Sequence, residues 1–384
     1  MAKMAKIAVK DRNPVSSLQE FLKKLLHDEE IAAILVPQHL PLKNTIMPML
    51  VTDPGKLDQA DPLAPVFPIN AAKILTRLTS APLERKLAAV LRPCEIRAFI
   101  ELTKLNQGNM NEVLIIGLDC LGAYENDDYS RFVAASENDG LKASLRFFRN
   151  IRAGQGTAEQ DFNIARACQA CERPSPDKAD LAVGLIGVNM EDWLPVTANT
   201  AWGEEILNRL DLPEAEKPEE HERALAELVQ ERLAFRDKMF EETRQETSSL
   251  EKLTEYLAGC VNCYNCRVAC PVCYCRECVF LTDVFDHKPW QYLGWAERKG
   301  ALKMPTDTLF YHLTRLTHIS LTCVGCGQCS RACPNHIPVM ELFRLIAADV
   351  QEAFGYEPGR DPDEPQPLSV FKEDEFGDVT KEAD

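Results

Sequence analysis

CVNCYNCRVACP at residues 260–271 and CVGCGQCSRACP at residues 323–334 are two copies of one cysteine pattern. Both follow the spacing C-x2-C-x2-C-x3-C-P. Two intervening residues allow a tight turn that points successive sulfurs at adjacent iron atoms, so three thiolates can wrap one face of a 4Fe–4S cluster. The repeated spacing therefore predicts two iron–sulfur clusters in the second half of the chain.

The fourth cysteine of each run is expected to bind the other cluster, as in bacterial two-cluster ferredoxins. We assign the first cluster to Cys260, Cys263, Cys266 and Cys333. We assign the second cluster to Cys323, Cys326, Cys329 and Cys270. Zinc is the alternative metal, but it favours two C-x2-C pairs that close a tetrahedron over a triple run followed by Cys-Pro. The pattern thus indicates a protein that moves electrons.

The composition excludes several other classes of function. A net charge of −16 over 384 residues argues against a nucleic-acid partner, because phosphate binding needs basic surface. No apolar run reaches the ~18 residues of a membrane helix, so direct membrane insertion is not expected. Fifteen cysteines without an export signal indicate the reducing cytoplasm, where thiolates persist as metal ligands. Membrane association through another protein of the same complex stays open.

Strand-like apolar runs alternate with helical patterns in the front part of the chain. Residues 31–36, 86–91 and 112–118 are the best strand candidates. The alternation predicts an α/β domain with a mixed or partly parallel sheet. Ligands of such sheets lie beyond the carboxyl ends of strands, and Cys94 and Cys120 both follow strands in this way. We expect these two cysteines to face one site.

A long charged helix predicted at residues 219–245 separates the front part from the cysteine runs. We place the front domain at residues 1–248 and the two-cluster ferredoxin domain at residues 249–346. Helical patterns between the two runs predict that the second domain is mainly helical. Residues 347–384 are expected to form an acidic, flexible tail, because the segment holds too few apolar residues to order itself.

Four further cysteines, Cys94, Cys120, Cys168 and Cys171, lie outside the two runs. Cys94 and Cys120 taken singly are typical of buried core cysteines. The C-x2-C pair formed by Cys168 and Cys171 is compatible with a redox dithiol or with half of a zinc site. Together the four cysteines match the number of thiolates that one 4Fe–4S cluster requires.

Three blocks of sequence resemble, in the same order, the β-subunit family of deazaflavin-coenzyme hydrogenases and formate dehydrogenases. They are ERKLAAVLRPCEIRAFIEL with VLIIGLDCLGAYE (residues 84–125), CQACERPSPDKADLAVGLIG (168–187) and WLPVTANTAWGEEIL (193–207). The resemblance implies a third 4Fe–4S cluster on Cys94, Cys120, Cys168 and Cys171. It also implies an FAD beside this cluster, expected near Cys94, Gly184 and Gly187.

The resemblance implies an iron–sulfur flavoprotein, a flavin-dependent reductase module of an oxidoreductase complex. Electrons would pass between the flavin and a catalytic partner of formate dehydrogenase, hydrogenase or heterodisulfide-reductase type. Flavin suits this place because it exchanges two electrons with a hydride carrier and single electrons with a cluster. The alternative is a flavin-free, polyferredoxin-like carrier linking two larger redox enzymes. RNPVSSLQE (residues 12–20) favours the alternative, since it lacks the family's glycines; ADLAVGLIG (179–187) favours the flavin.

Some residues keep several interpretations. Cys273, Cys275 and Cys278 either form an extra metal site, with His287 as a candidate fourth ligand, or exchange with the neighbouring run, or pack beside a cluster. His312, Arg315 and His318 share one helical face, which we interpret as ordinary exposed surface, with proximity to the second cluster or a subunit interface as alternatives. No catalytic residue is assigned. A colourless, zinc-stabilised interaction protein is the remaining alternative.

Overall fold

The structure is a computed structural model that describes residues 3–40, 45–152, 162–275, 277–282, 288–299 and 307–370. Within these ranges, seven strands form one sheet. The strands are β1 Met4–Ala8, β2 Ile31–His39, β3 Ile46–Val51, β4 Lys86–Leu91, β5 Val113–Leu118, β6 Leu181–Val183 and β7 Trp193–Ala198.

Helices cover both faces of this sheet and form most of the region behind it. The helices of the front part are α1 Pro14–Leu26, α2 Ala72–Leu78, α3 Pro93–Lys104, α4 Asn126–Ala134, α5 Gly140–Arg152, α6 Arg166–Gln169 and α7 Ala201–Arg209. The later helices are α8 His221–Glu246, α9 Leu250–Tyr256, α10 Asn265–Ala269, α11 Pro289–Lys299, α12 Asp307–Ile319, α13 Gln328–Arg331 and α14 Val339–Ala353.

The strand order is β1-β7-β6-β5-β4-β2-β3. The four strands β2, β4, β5 and β6 pair in parallel, whereas β3 and β7 pair antiparallel with their neighbours, and β1 pairs antiparallel with β7. The predicted mixed, partly parallel sheet is therefore confirmed. All six residues of β5 are buried, as expected of a parallel strand covered on both faces, which reads as a continuous apolar run.

β2 is longer than its apolar run suggests. It continues through Pro37 to His39 and pairs with β3, where Pro37 lies opposite Pro48. Proline is tolerated at this position because the pairing of β2 with β4 ends at Leu35, so no strand on that side needs the missing N–H.

The hydrophobic core is split by the sheet. One face packs against α1, α4, α5 and α7. The other face, with Leu35, Ala89 and Ile115, packs against α3 and continues into the cysteine-rich region through Val324 and Phe343. The cysteine runs therefore rest directly on the sheet through a shared apolar layer, and the mainly helical character predicted for this region is confirmed.

The C-terminal segment differs from the expected flexible tail. α14 runs to Ala353, past the predicted boundary at residue 347, and the chain then lies across α3. Glu101 of α3 is fully buried, and its carboxylate accepts hydrogen bonds from Tyr356 Oη (2.7 Å), Gly359 N (2.7 Å) and Gln366 Nε2 (2.8 Å). A buried carboxylate needs such partners, and this need orders a polar segment that composition alone would leave disordered. Residues 371–384 lie outside the described residues.

None of the helices in the described ranges combines the length and the apolar character needed to cross a membrane.

Candidate iron–sulfur centres

The first cysteine set surrounds a small cavity between α10, α12 and the loop after α13. The four predicted ligands Cys260, Cys263, Cys266 and Cys333 all line it. The loop between Cys260 and Cys266 turns sharply because Asn262 (φ 50°) and Tyr264 (φ 59°) adopt left-handed backbone conformations. Cys260 and Cys266 are buried, whereas Cys263 is exposed, so this set reaches the protein surface.

Three side chains of α12 approach the sulfurs of this set. Arg315 Nη1 donates to Cys266 Sγ at 3.1 Å, and Arg315 Nη2 donates to the Cys266 carbonyl at 3.2 Å. Tyr311 Oη lies 3.3 Å from Cys266 Sγ, and His312 Nε2 lies 3.4 Å from Cys260 Sγ. These side chains are hydrogen-bonding groups aimed at two of the four candidate ligands.

The predicted exposed helical face is wrong for His312 and Arg315, which are 1% and 3% exposed. Both are buried because α12 packs against α14, with the Arg315 guanidinium 4.7 Å from the centre of the Phe343 ring. Burial lowers the pKa of His312 to about 4, and the nearby Arg315 charge adds to this effect, so the imidazole is neutral. Of the three residues, His318 alone lies on the exposed side of α12.

The second cysteine set, Cys270, Cys323, Cys326 and Cys329, lies deep in the protein. Burial raises the pKa of Cys270, and the neighbouring Cys323 adds to the effect. Burial also raises the pKa of Cys329 well above its ordinary value, with Cys270 and Cys326 as the nearest thiols that contribute. The fourth cysteine of the first run is therefore brought to the first three cysteines of the second run.

The third cysteine set is assembled by the fold. Cys94 lies in the first turn of α3 after β4, and Cys120 follows β5, so the parallel pair β4–β5 brings both to one edge of the sheet. Cys168 in α6 and Cys171 just after it complete a small cavity that all four cysteines line. Cys326 of the second set lines the same cavity.

Four arginines surround the third set, and Arg173 is one that lines its cavity. Arg232 of α8 is 3% exposed and donates to the carbonyls of Cys171 (3.3 Å) and Cys120 (3.1 Å). Arg331, between two cysteines of the second run, has Nη2 3.7 Å from Cys168 Sγ, and Arg92 lines the cavity. Sequence analysis did not identify these arginines, although Arg92 stands next to the Pro-Cys turn.

The donor chemistry of the three sets fits iron–sulfur clusters. Burial raises the pKa of Cys94 well above its ordinary value and raises the pKa of Cys120 to about 11. A buried thiol of this kind releases its proton to solvent when a cation binds the sulfur in the proton's place, and cluster iron is such a cation. In the described part of the chain, no three Cys, His, Asp or Glu side chains converge on a single metal ion. A 4Fe–4S cluster instead binds its thiolates through separate iron atoms.

The three sets adjoin one another in a fixed order. Arg315 contacts Cys266 of the first set, and it lies close enough to Cys270 and Cys329 of the second set for all three thiols to raise the pKa of its guanidinium. Cys326 of the second set lines the cavity of the third. The second set therefore lies between the other two.

The remaining cysteines have different surroundings. Cys273 lies beside Cys270, and burial raises its pKa to about 11. Cys278 packs with Phe280 and Tyr311, and Cys275 is exposed. His287, the candidate fourth ligand, lies outside the described residues. Cys278 packs beside the first set, and Cys273 packs beside the second set.

The residues expected near FAD line different places. Gly184 borders an open cavity of about 740 Å³ together with Asp119, which directly precedes Cys120. Cys94 lines the cysteine cavity described above. Gly187 has φ 65° and packs against the backbone of Glu220. A Cβ atom at this position would lie 2.7 Å from the Glu220 carbonyl oxygen, so local packing is enough to explain why the residue is glycine.

The open cavity suits a dinucleotide in size but not in charge. Its acidic side chains are Asp119, Asp177, Glu216 and Glu222. Its basic groups are Lys217, which is ion-paired with Glu222 at 2.7 Å, and His221. The Asp119 carboxylate accepts hydrogen bonds from the backbone of Leu185 (2.9 Å) and Ile186 (3.1 Å), so its role within the described residues is to hold the loop after β6. A diphosphate would meet more negative than positive charge here.

Comparisons with known proteins agree with this chemistry. Residues 84–220 match the family described as the C terminus of the coenzyme F420 hydrogenase/dehydrogenase beta subunit, and residues 317–339 match a 4Fe–4S binding domain. The predicted resemblance is therefore confirmed.

Two curated relatives are similar over most of their length. The F420-dependent formate dehydrogenase subunit beta of Methanocaldococcus jannaschii is 29% identical over 82% of this chain and 84% of its own length. The F420-dependent formate dehydrogenase 1 subunit beta of Methanococcus maripaludis is 28% identical over 74% of this chain and 76% of its own.

A solved structure, a chain of the F420-reducing [NiFe] hydrogenase complex from Methanosarcina barkeri, is 16% identical and covers 65% of this chain and 94% of its own. Its TM-score of 0.44 is too low to establish a shared fold.

Proposed function

We propose that this chain, which carries a domain of the coenzyme F420 hydrogenase/dehydrogenase β-subunit family, is an electron-transfer subunit with three 4Fe–4S clusters. The clusters would be held by the three cysteine sets described above, in the cross-paired arrangement for the two runs. The observation that carries this proposal is the continuity of the sets, since Cys326 borders the cavity of the third set and Arg315 links the first set to the second.

The chain would pass electrons between a flavin and a catalytic partner, within a cytoplasmic complex of several subunits. Both relatives are β subunits of formate dehydrogenases, which supports a partner of formate dehydrogenase type, with a hydrogenase or a heterodisulfide reductase as further members of that class. Each bound cluster supplies one-electron transfer, and the protein's part is to fix the clusters in a row and shield them from water. Residues 1–248 would form the flavin-side domain and residues 249–346 the ferredoxin domain.

The flavin-containing form of the proposal places FAD beside the third cluster. The cavity at Gly184 supports this form by its size and by its position one residue from Cys120. The flavin-free form, an electron carrier between two larger redox enzymes, is supported by the four carboxylates that line the same cavity.

Cofactor analysis of the anaerobically purified full chain tests the proposal. We expect about twelve irons and about twelve acid-labile sulfides per chain, four of each for every cluster. One FAD released by acid would support the flavin-containing form, and its absence with full iron would support the flavin-free carrier. An iron content of about eight per chain would remove the third cluster from the proposal. A colourless protein that holds zinc and no labile sulfide would overturn the proposal altogether.

A further inference from the structure

The helix α12 presents three buried hydrogen-bonding side chains to the first cysteine set. Tyr311 and His312 are each 1% exposed and Arg315 is 3% exposed. Their polar atoms lie 3.1–3.4 Å from Cys266 Sγ and Cys260 Sγ. These distances are those of hydrogen bonds to sulfur, which are longer than hydrogen bonds to oxygen because sulfur is the larger atom.

Reduction of a 4Fe–4S cluster adds one negative charge to the cluster and its thiolates. Hydrogen-bond donors and buried positive charge at the thiolates stabilise the added electron and raise the reduction potential. Arg315 supplies both, because a guanidinium keeps its charge when buried. The guanidinium also lies against the faces of the Tyr311 and Phe343 rings, which do not neutralise its charge. That charge acts on Cys266 first and also on Cys270 and Cys329 of the second set.

Within the described ranges, the other two sets have fewer side-chain hydrogen bonds to their sulfurs than the first set. Among the described residues, the side-chain contact to a sulfur of the third set is Arg331 to Cys168 at 3.7 Å, and Arg232 bonds to backbone carbonyls there. Backbone N–H groups donate to Cys270, Cys323 and Cys326 of the second set. In the described part of the chain, side-chain donation to sulfur is therefore concentrated at the first set, next to the exposed Cys263.

We propose that Tyr311, His312 and Arg315 act as positioning residues that raise the reduction potential of the first cluster. This inference rests on the proposed function, because it requires a cluster at Cys260, Cys263, Cys266 and Cys333. The electron is then stabilised at the end of the cluster row that reaches the protein surface. The donors come from α12, which lies between the two cysteine runs. This helix therefore has a redox role in addition to a packing role.

The test is an EPR-monitored redox titration of the anaerobic full-length chain, with the first cluster identified as the signal lost in Cys260→Ser. Arg315→Gln removes the charge and is expected to shift the ratio of oxidised to reduced first cluster about tenfold at a fixed potential, which equals a midpoint about 59 mV lower for one electron. Tyr311→Phe removes only a hydroxyl group and is expected to give a smaller shift in the same direction. The signals of the other two clusters should move less than that of the first.

His318→Gln is the matched control, because His318 lies on the same helix but is exposed. It should leave all three midpoints unchanged. Unchanged midpoints in both Tyr311→Phe and Arg315→Gln, with full iron content, would overturn this inference and leave the proposed function intact. Arg315→Gln could lose its first cluster altogether. In that case the midpoint of the first cluster is measured in Tyr311→Phe and in Arg315→Lys, which keeps the charge. A wild-type chain without the first cluster would instead refute the proposed function.

Discussion

The first and third cysteine sets offer four thiols each, but they are built in opposite ways. Three of the four cysteines of the first set come from seven consecutive residues, and the set reaches the surface at Cys263. The third set draws on α3, the end of β5 and α6. Arginines line its cavity, of which Arg232 bonds to the backbone and Arg331 approaches Cys168 Sγ.

This difference separates local from global control of a cluster site. The geometry of the first set depends on short-range turn conformations, and its environment is set by one neighbouring helix. The geometry of the third set depends on the sheet register, because Leu91 and Gly117 are paired residues at the ends of β4 and β5. Damage to the fold should therefore affect the third set first, whereas the first set should respond mainly to changes in α12.

The largest expected effect is the loss of one whole cluster. Cys120→Ser should lower the iron content from about twelve to about eight per chain, with an equal loss of labile sulfide, because serine is a poor ligand for this cluster. Iron and sulfide analysis of the anaerobic protein provides the measurement. Cys275→Ser, at an exposed cysteine outside all three sets, is the control and should retain the full iron content. Full iron in Cys120→Ser would contradict the ligand assignment.

Arg232 is expected to hold the third set without touching its sulfurs. Arg232→Met leaves two buried carbonyls without their partner, at a combined cost of about 3 kcal/mol. Four of the irons should then be released to a chelator between tenfold and a hundredfold faster than in the wild type. Lys238→Met, on an exposed part of the same helix, should behave like the wild type. Faster release of all irons together would show that Arg232 stabilises the whole fold rather than one site.

Gly327 couples the second cysteine run to the third set. Its φ is 76°, and a Cβ atom there would collide with the side chain of Ala167 next to Cys168. Gly327→Ala should destabilise the protein by about 2–3 kcal/mol, measured by anaerobic urea unfolding. In Gly294→Ala the new methyl group meets open space within α11, so this control should be neutral or stabilise by about 0.5–1 kcal/mol. Equal stabilities of the two variants would refute the close contact.

The smallest expected effect concerns the C-terminal segment around Tyr356, which packs on α3, the helix that carries Cys94. Tyr356→Phe removes the hydroxyl group that donates to the buried Glu101 of α3 and accepts from Lys104 Nζ at 2.9 Å, and the expected loss of stability is about 1.5 kcal/mol. The other donors to Glu101 remain, which limits the effect. Thermal unfolding measures it, and Tyr274→Phe at a more exposed tyrosine is the control. A loss no greater than that of the control would indicate that the segment does not stabilise α3.

Sequence reasoning succeeded where chemistry depends on short spacing or simple periodicity. The spacing of the cysteine runs predicted two sets with exchanged fourth members; the structure places Cys333 near Cys260 and Cys270 near Cys329, and the binding of clusters by these sets stays a prediction. The buried run at residues 112–118 predicted β5 because a strand covered on both faces must be apolar throughout. The match to residues 84–220 confirmed the resemblance seen in three blocks.

Predictions from the sequence were wrong where the surroundings of one residue depend on distant parts of the chain. His312 and Arg315 were expected on an exposed face, because polar residues at helical spacing are usually solvated and nothing local records that α14 covers them. The segment around Tyr356 was expected to be flexible, since its composition does not reveal the buried carboxylate of Glu101 that orders it.

By itself, the sequence determined the kind of chemistry, because iron–sulfur ligation depends on the number and spacing of cysteines. Only the tertiary structure decided the order of the three sets and the groups that face each one. Arg331 illustrates the reason: it stands between two cysteines of the second run, yet its guanidinium reaches Cys168, 163 residues away in the sequence. Such contacts depend on how the sheet and the helices pack, and packing is a property of the whole chain.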